Sequence, residues 1–124
     1  MKRFVFIACA SLAVLLFPLR AIAQHAHADS PKTTLTVIKP LVVGQTTLQP
    51  GQYRFQCRTF DGRTFLIVTV VSTGKEIARV PCVEETLDAA VTASDYRSVP
   101  REDGKWTLTS VRIKGELVAH RLVD

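Results

Sequence analysis

From Leu48 the chain reads Leu-Gln-Pro-Gly-Gln-Tyr-Arg-Phe-Gln-Cys. After the Pro50-Gly51 corner, Tyr53, Phe55 and Cys57 alternate with Gln52, Arg54 and Gln56. Alternation at period two predicts a strand with one face on a core and the other in water. The same reading extends in both directions. Thr33 to Ile38 is rich in β-branched residues and predicts a first strand. Pro40, which has no N–H to give a ladder, interrupts it before Leu41-Val42-Val43. Gly44 to Thr47 is read as a turn leading to the Pro50-Gly51 corner.

Asp61-Gly62 is a hairpin signal. Thr64 to Val71 then carries apolar residues on both faces, which predicts a strand covered on both sides at the centre of the sheet. Ser72 to Lys75 turns the chain, Glu76 to Val80 returns, and Pro81 is expected to stop that strand. Glu84 to Ser94 reads as irregular chain or one helical turn, followed by a strand near Thr92 to Val99. Pro100 to Gly104 is a turn. Along Lys105 to Lys114 the apolar phase changes between Trp106/Leu108 and Val111/Ile113, which predicts a bulge near Thr109-Ser110. Lys114-Gly115-Glu116 turns into a last strand, Leu117 to Val123. Short strands at hairpin spacing with little helix predict an all-β fold, a single antiparallel β-sandwich or small barrel of about seven strands.

The N-terminus follows different rules. Met1-Lys2-Arg3 is basic, Phe4 to Phe17 is almost wholly apolar, and Ala21-Ile22-Ala23 is a small-x-small cleavage pattern. Together they predict a cleaved secretory signal helix over residues 1–23. The apolar run is shorter than the roughly 20 residues a membrane span needs, and Pro18 and Arg20 close it, so no stable span is expected after cleavage. Ala26-His27-Ala28 offers a second cleavage pattern. Residues 24–32 read as a flexible leader and 33–124 as the β domain. Lys2, Arg3 and Arg20 leave with the signal and no acidic residue does, so the net charge falls from +5 to +2. That balance, spread over the domain, does not fit a nucleic-acid partner, which needs a clustered basic face.

Val43-Gly44, Leu48-Gln49-Pro50-Gly51-Gln52-Tyr53, Gly74 to Pro81, and Leu108 to Glu116 with His120 resemble the turns and strand starts of a group of small exported bacterial proteins. These have a signal peptide and one compact β domain. Where that group reads Leu-Pro-Ala-Gly-x-Tyr, this chain has Leu-Gln-Pro-Gly-Gln-Tyr. No activity is assigned to the group, so the resemblance implies export to the periplasm or medium and a β fold, and nothing about chemistry.

Few residues could carry chemistry. Cys57 and Cys82 are the cysteines of the mature chain, and an oxidising compartment favours a Cys57–Cys82 disulfide. Tight turns at Asp61-Gly62 and Thr73-Gly74 would set Cys57 opposite Leu66 and Leu66 opposite Pro81. The cysteines would then stand two strands apart, about 9–10 Å, against the roughly 7 Å that a disulfide tolerates. The bond therefore requires the chain to leave the sheet at Pro81; otherwise the two are buried thiols packed as small hydrophobes. His25 and His27 are candidate metal ligands beside a free α-amine. His120 reads as a half-buried or surface histidine. Glu84, Glu85, Asp88 and Asp95 could supply an acid–base pair but read as a solvated loop. Tyr96 and Trp106 could form an aromatic platform or pack in the core. No nucleophile elbow, phosphate-binding loop or metalloprotease helix is present.

The expected function is an exported non-enzymatic binding or structural module of the cell envelope, with no cofactor. Its partner would be an envelope protein or a glycan, met through Arg54, Arg58, Tyr96 and Trp106. The alternative is a small periplasmic enzyme or a metal-handling protein using the N-terminal histidines or the acidic segment 84–95.

Overall fold

Hairpin turns and alternating patterns leave this chain little choice but strands. The computed structural model describes residues 29–123, and all regular structure among them is β. The expected signal peptide, most of the leader, His25 and His27 lie outside the described residues. In order the strands are β1 (Thr33–Val37), β2 (Leu41–Val43), β3 (Thr46–Leu48), β4 (Gly51–Phe60), β5 (Arg63–Val70), β6 (Glu76–Thr86), β7 (Asp95–Pro100), β8 (Trp106–Arg112) and β9 (Val118–Leu122).

The strands pair in the order β1-β4-β5-β6-β9-β8-β2-β3, and β7 pairs with β8. β1, β4, β5 and the first part of β6 form one half. β9, β8, β7, β2, β3 and the end of β6 form the other. Both halves put side chains into one core, with Phe55, Leu66 and Val68 from the first and Leu41, Leu48, Leu108 and Val111 from the second. The sheet does not close into a barrel.

Local signals held well. Asp61 and Gly62 both have positive φ (48° and 75°), as the tight two-residue turn between paired Phe60 and Arg63 requires. β5 lies between β4 and β6, as its two apolar faces imply. Arg97 pairs with Ser110 and Ser98 with Leu108, so Thr109 is the extra residue of a bulge. Its hydroxyl donates to the Arg97 carbonyl.

Several expectations need correction. Among the described residues there are nine strands, because Thr46–Leu48 turns straight back on β2 through Gly44 and Gln45. Gly44 takes φ 62° there. The sheet is mixed, since β2 runs parallel to β8 through Leu41–Trp106 and Val42–Thr107. Periodicity carries no information on the direction of such a non-local pair. Residues 87–94 contain no helix. Residues 29–31, placed in the leader, are tied down: Ser30 is buried and exchanges hydrogen bonds with the Cys57 backbone.

The most consequential correction concerns β6. Pro81 does not end it. Pairing with β5 runs to Phe65–Pro81, and pairing with β9 begins at Cys82–Leu122. The residue without an N–H stands where the strand changes partner, and its carbonyl accepts from Val123. β6 is also out of the expected register. Val68 pairs with Ala78 and Thr69 with Glu76, so Ile77 is bulged out, and Leu66 meets Val80 in place of Pro81. A one-residue slip moves every later side chain to the other face. Ala78, Val80 and Cys82 consequently point into the core that Cys57 and Leu66 face.

Candidate metal centre

Three strands bring their polar exceptions to one point in this core. Cys57 is on β4, Cys82 is on β6 just past the change of partner at Pro81, and His120 is on β9, opposite Glu84 of β6 and Val111 of β8. They are 3%, 5% and 2% exposed. The sulfurs of Cys57 and Cys82 lie 3.8 Å apart, linked by an S–H···S hydrogen bond, and no disulfide joins them. One ligating atom of each residue lies within 4.8 Å of the others.

The histidine is oriented from outside. Its Nε2 lies 3.2 and 3.3 Å from the two Glu116 carboxylate oxygens, and Glu116 sits in the turn ahead of β9. Its Nδ1 is buried and has no hydrogen-bond partner. A buried polar atom left in that state is unfavourable by about 1–3 kcal/mol, so it points to a missing partner.

The electrostatics are asymmetric. The hydrogen bond to Cys82 and burial push the Cys57 thiol well above its ordinary value, and the charges of Cys82, Glu116 and Glu84 add to the effect. Cys82 is lowered from 9.0 to about 6, chiefly by the hydrogen bond to Cys57 and then by His120, against the opposing effect of burial. Burial lowers His120, but its links to Cys82 and Glu116 outweigh burial and its pKa ends above 6.5. At neutral pH the pair therefore holds one thiolate and one retained thiol proton.

This donor set suits a soft d10 cation. Thiolates select Cu(I) and Zn(II), and imidazole suits both metals. Two thiolates on a tetrahedral ion, each at about 2.3 Å, stand about 3.8 Å apart, and the Cys57 and Cys82 sulfurs are 3.8 Å apart. A carboxylate on the far nitrogen of a ligating histidine is the usual outer-shell arrangement, fixing the tautomer that leaves the other nitrogen free.

The sequence signal for this site was partial. The two cysteines stood out, but His120 was placed at or near the surface and is fully buried. Its position midway between Val118 and Leu122, two residues from each, is the period-two mark of an inward side chain.

Of the other candidates only Glu84, opposite His120, comes near this site. Arg58 is exposed, pairs with Asp29 at 3.3 Å, and lies 5.0 Å from the centroid of Phe60. Arg54, also on β4, is half-buried. Tyr96 and Trp106 pack partly against the core and line one cleft with Ile38, Lys39, Leu41 and Ser98. The Lys39 ammonium lies over the Trp106 ring, 5.2 Å from its centroid. The acid–base grouping is dispersed: Glu85 and Asp95 line different clefts, and Asp95 is held below the usual carboxylate range by Arg112. Comparison with protein-family models, curated proteins and solved structures finds no match.

Proposed function

We propose that this chain is an exported, non-enzymatic binding module whose ligand is a thiophilic d10 metal ion, held by Cys57, Cys82 and His120. The observation that carries this reading is the unpartnered, buried Nδ1 of His120 beside two unbonded thiols, with all three donor groups within 4.8 Å. The Glu116 contact to Nε2 supports it by leaving Nδ1 as the free donor. Export is supported by the basic start, the apolar run and the small-x-small pattern of residues 1–23.

The residues divide the work as follows. Cys82 supplies a thiolate at neutral pH. Cys57 gives up its proton when the ion arrives, so binding releases a proton and tightens as pH rises. His120 supplies a neutral nitrogen, and Glu116 keeps its other N–H engaged. The buried position makes the ion part of the fold, so uptake accompanies folding or local opening of the domain around β9.

The test is competition against chromophoric chelators, Cu(I) under reducing conditions and Zn(II) in parallel, using the exported chain. One ion per chain is expected. C57S, C82S and H120A should each weaken binding on the order of 100-fold or more, since each removes a direct ligand where even an outer-shell loss costs 10–100-fold. A double H25A/H27A variant should bind as the parent does. A parent that binds neither ion, or binding that survives all three core substitutions, would refute the reading. The relative strength of the two arms identifies the ion.

A second reading has one observation behind it, the shared cleft of Tyr96 and Trp106, which would stack a sugar of an envelope glycan. Tryptophan fluorescence titrated with oligosaccharides tests it. A saturable change lost in Y96A supports it, and an unchanged spectrum refutes it.

A further inference from the structure

The two sulfurs that would hold the ion are also placed to join each other. They come from strands that are not neighbours in the sheet, β4 and β6 just past Pro81, and they meet because the Ile77 bulge and the change of partner at Pro81 bring both onto one face. Their 3.8 Å separation would have to shrink to about 2.05 Å for a bond. The sulfurs would have to approach by under about 2 Å. No other cysteine belongs to the described residues, so neither thiol has a competing partner within the domain.

We propose that a peroxide oxidises Cys57 and Cys82 to an intramolecular disulfide, and that this oxidation discharges the metal ion. The discharge rests on the metal reading above; the disulfide does not. The thiolate is the metal ligand, and a sulfur in a disulfide no longer offers one. The metal-bound and oxidised forms are thus alternative states of the same pair, and the redox poise of the compartment sets which is populated.

The step balances as follows. One thiolate attacks a peroxide oxygen, the O–O bond breaks, and a sulfenic acid and a hydroxide result, the hydroxide taking up a proton as the first water. The second sulfur attacks the sulfenic sulfur, the S–O bond breaks, and the departing hydroxide takes up a proton as the second water. From the metal-bound pair, two thiolates, one hydrogen peroxide and two protons from solvent give one disulfide, two waters and the free ion; from the metal-free pair the thiols bring those two protons themselves. Each sulfur loses one electron, the two peroxide oxygens gain one each, and the ion leaves with its own charge unchanged. With 3% and 5% exposure the thiols react only as fast as local opening admits the oxidant.

The experiment uses the reduced, zinc-loaded chain, because zinc has no redox chemistry of its own. Hydrogen peroxide is added, free zinc is read with a chromophoric chelator, and the protein is read by intact mass. The expected result is loss of two hydrogens per chain in step with release of one zinc, both reversed by dithiothreitol. C57S and C82S should lose no hydrogens and gain single oxygens instead. Oxygen addition without hydrogen loss in the parent, disulfide-linked dimers, or a disulfide that forms while zinc stays bound would each overturn the proposal. A reduced chain that never takes up zinc but still loses two hydrogens would sink the metal reading, and the discharge with it, and leave the disulfide standing.

Discussion

Cys82 is the residue on which the chemistry turns. Its thiol is lowered from 9.0 to about 6 while Cys57, one hydrogen bond away, is raised. In the metal-free reduced chain, thiolate absorbance near 240 nm should therefore rise by one thiolate, not two, with a midpoint near pH 6. C82S should abolish that step. C57A, which leaves no donor at that position, should move it up toward the ordinary thiol range, because the Cys57 hydrogen bond is the largest lowering influence. A two-thiolate step near pH 9 in the parent would contradict this arrangement. Glu116 makes a second prediction at this scale. E116Q keeps the size of the side chain but weakens its hold on the His120 Nε2–H, so metal affinity measured by chelator competition should fall 10–100-fold while both thiols remain titratable. At the residue level the sequence revealed half of this centre. Two cysteines in a chain whose sequence predicts export announce themselves by the expected compartment, whereas His120 is an isolated histidine whose meaning depends on which strand lies opposite it. Glu116 was legible only as turn polarity, since nothing local links it to His120 except the four-residue spacing.

β6 is the element that makes the site possible. It serves both halves of the sheet, passing from β5 to β9 at Pro81. The hairpin at Asp61-Gly62, the central position of β5 and the bulge at Thr109 could be read from sequence, because each leaves a local mark in turn residues or in apolar phase. The Ile77 bulge leaves only a faint mark, the adjacent apolar pair Ile77-Ala78, and the sequence reading carries the strand through it without a shift. Proline in a strand signals an end when pairing is assumed constant, and here it marks a change of partner. The β2–β3 turn is tied to the same element. A Cβ on Gly44 would stand 2.9 Å from the Val80 Cγ2 on β6, and the residue already needs a positive φ. Gly62 has the same backbone need but open space around it. G62A should therefore cost about 1–2 kcal/mol of backbone strain alone. G44A should cost more, about 2–4 kcal/mol, once a packing clash is added. Urea unfolding of the two variants checks the order, and equal losses would show that β6 yields freely at Val80.

Across the whole molecule, one core is built from two halves that share few local connections. β6 joins them on one side of the order, and the short parallel β2–β8 pair extends the second half beyond it. That fold class was legible, because strand-forming alternation and turn residues recur along the whole chain. The strand count, the parallel pair and the meeting of the two halves were not, because each depends on contacts between residues far apart in sequence. The consequence is that a polar cluster can be placed deep in an otherwise apolar interior, with Phe55, Leu66 and Val111 fully buried in the same domain. A bound ion there would tie β4, β6 and β9 together and stabilise the fold in proportion to its affinity. X-ray absorption at the metal edge of the reduced, loaded chain tests the central claim most directly. The account predicts two sulfurs at about 2.3 Å and a histidine nitrogen at about 2.0–2.1 Å, with the sulfur shell thinned in C57S and C82S. A shell made only of oxygen and nitrogen, or one unchanged by both substitutions, would place the ion elsewhere and contradict the account.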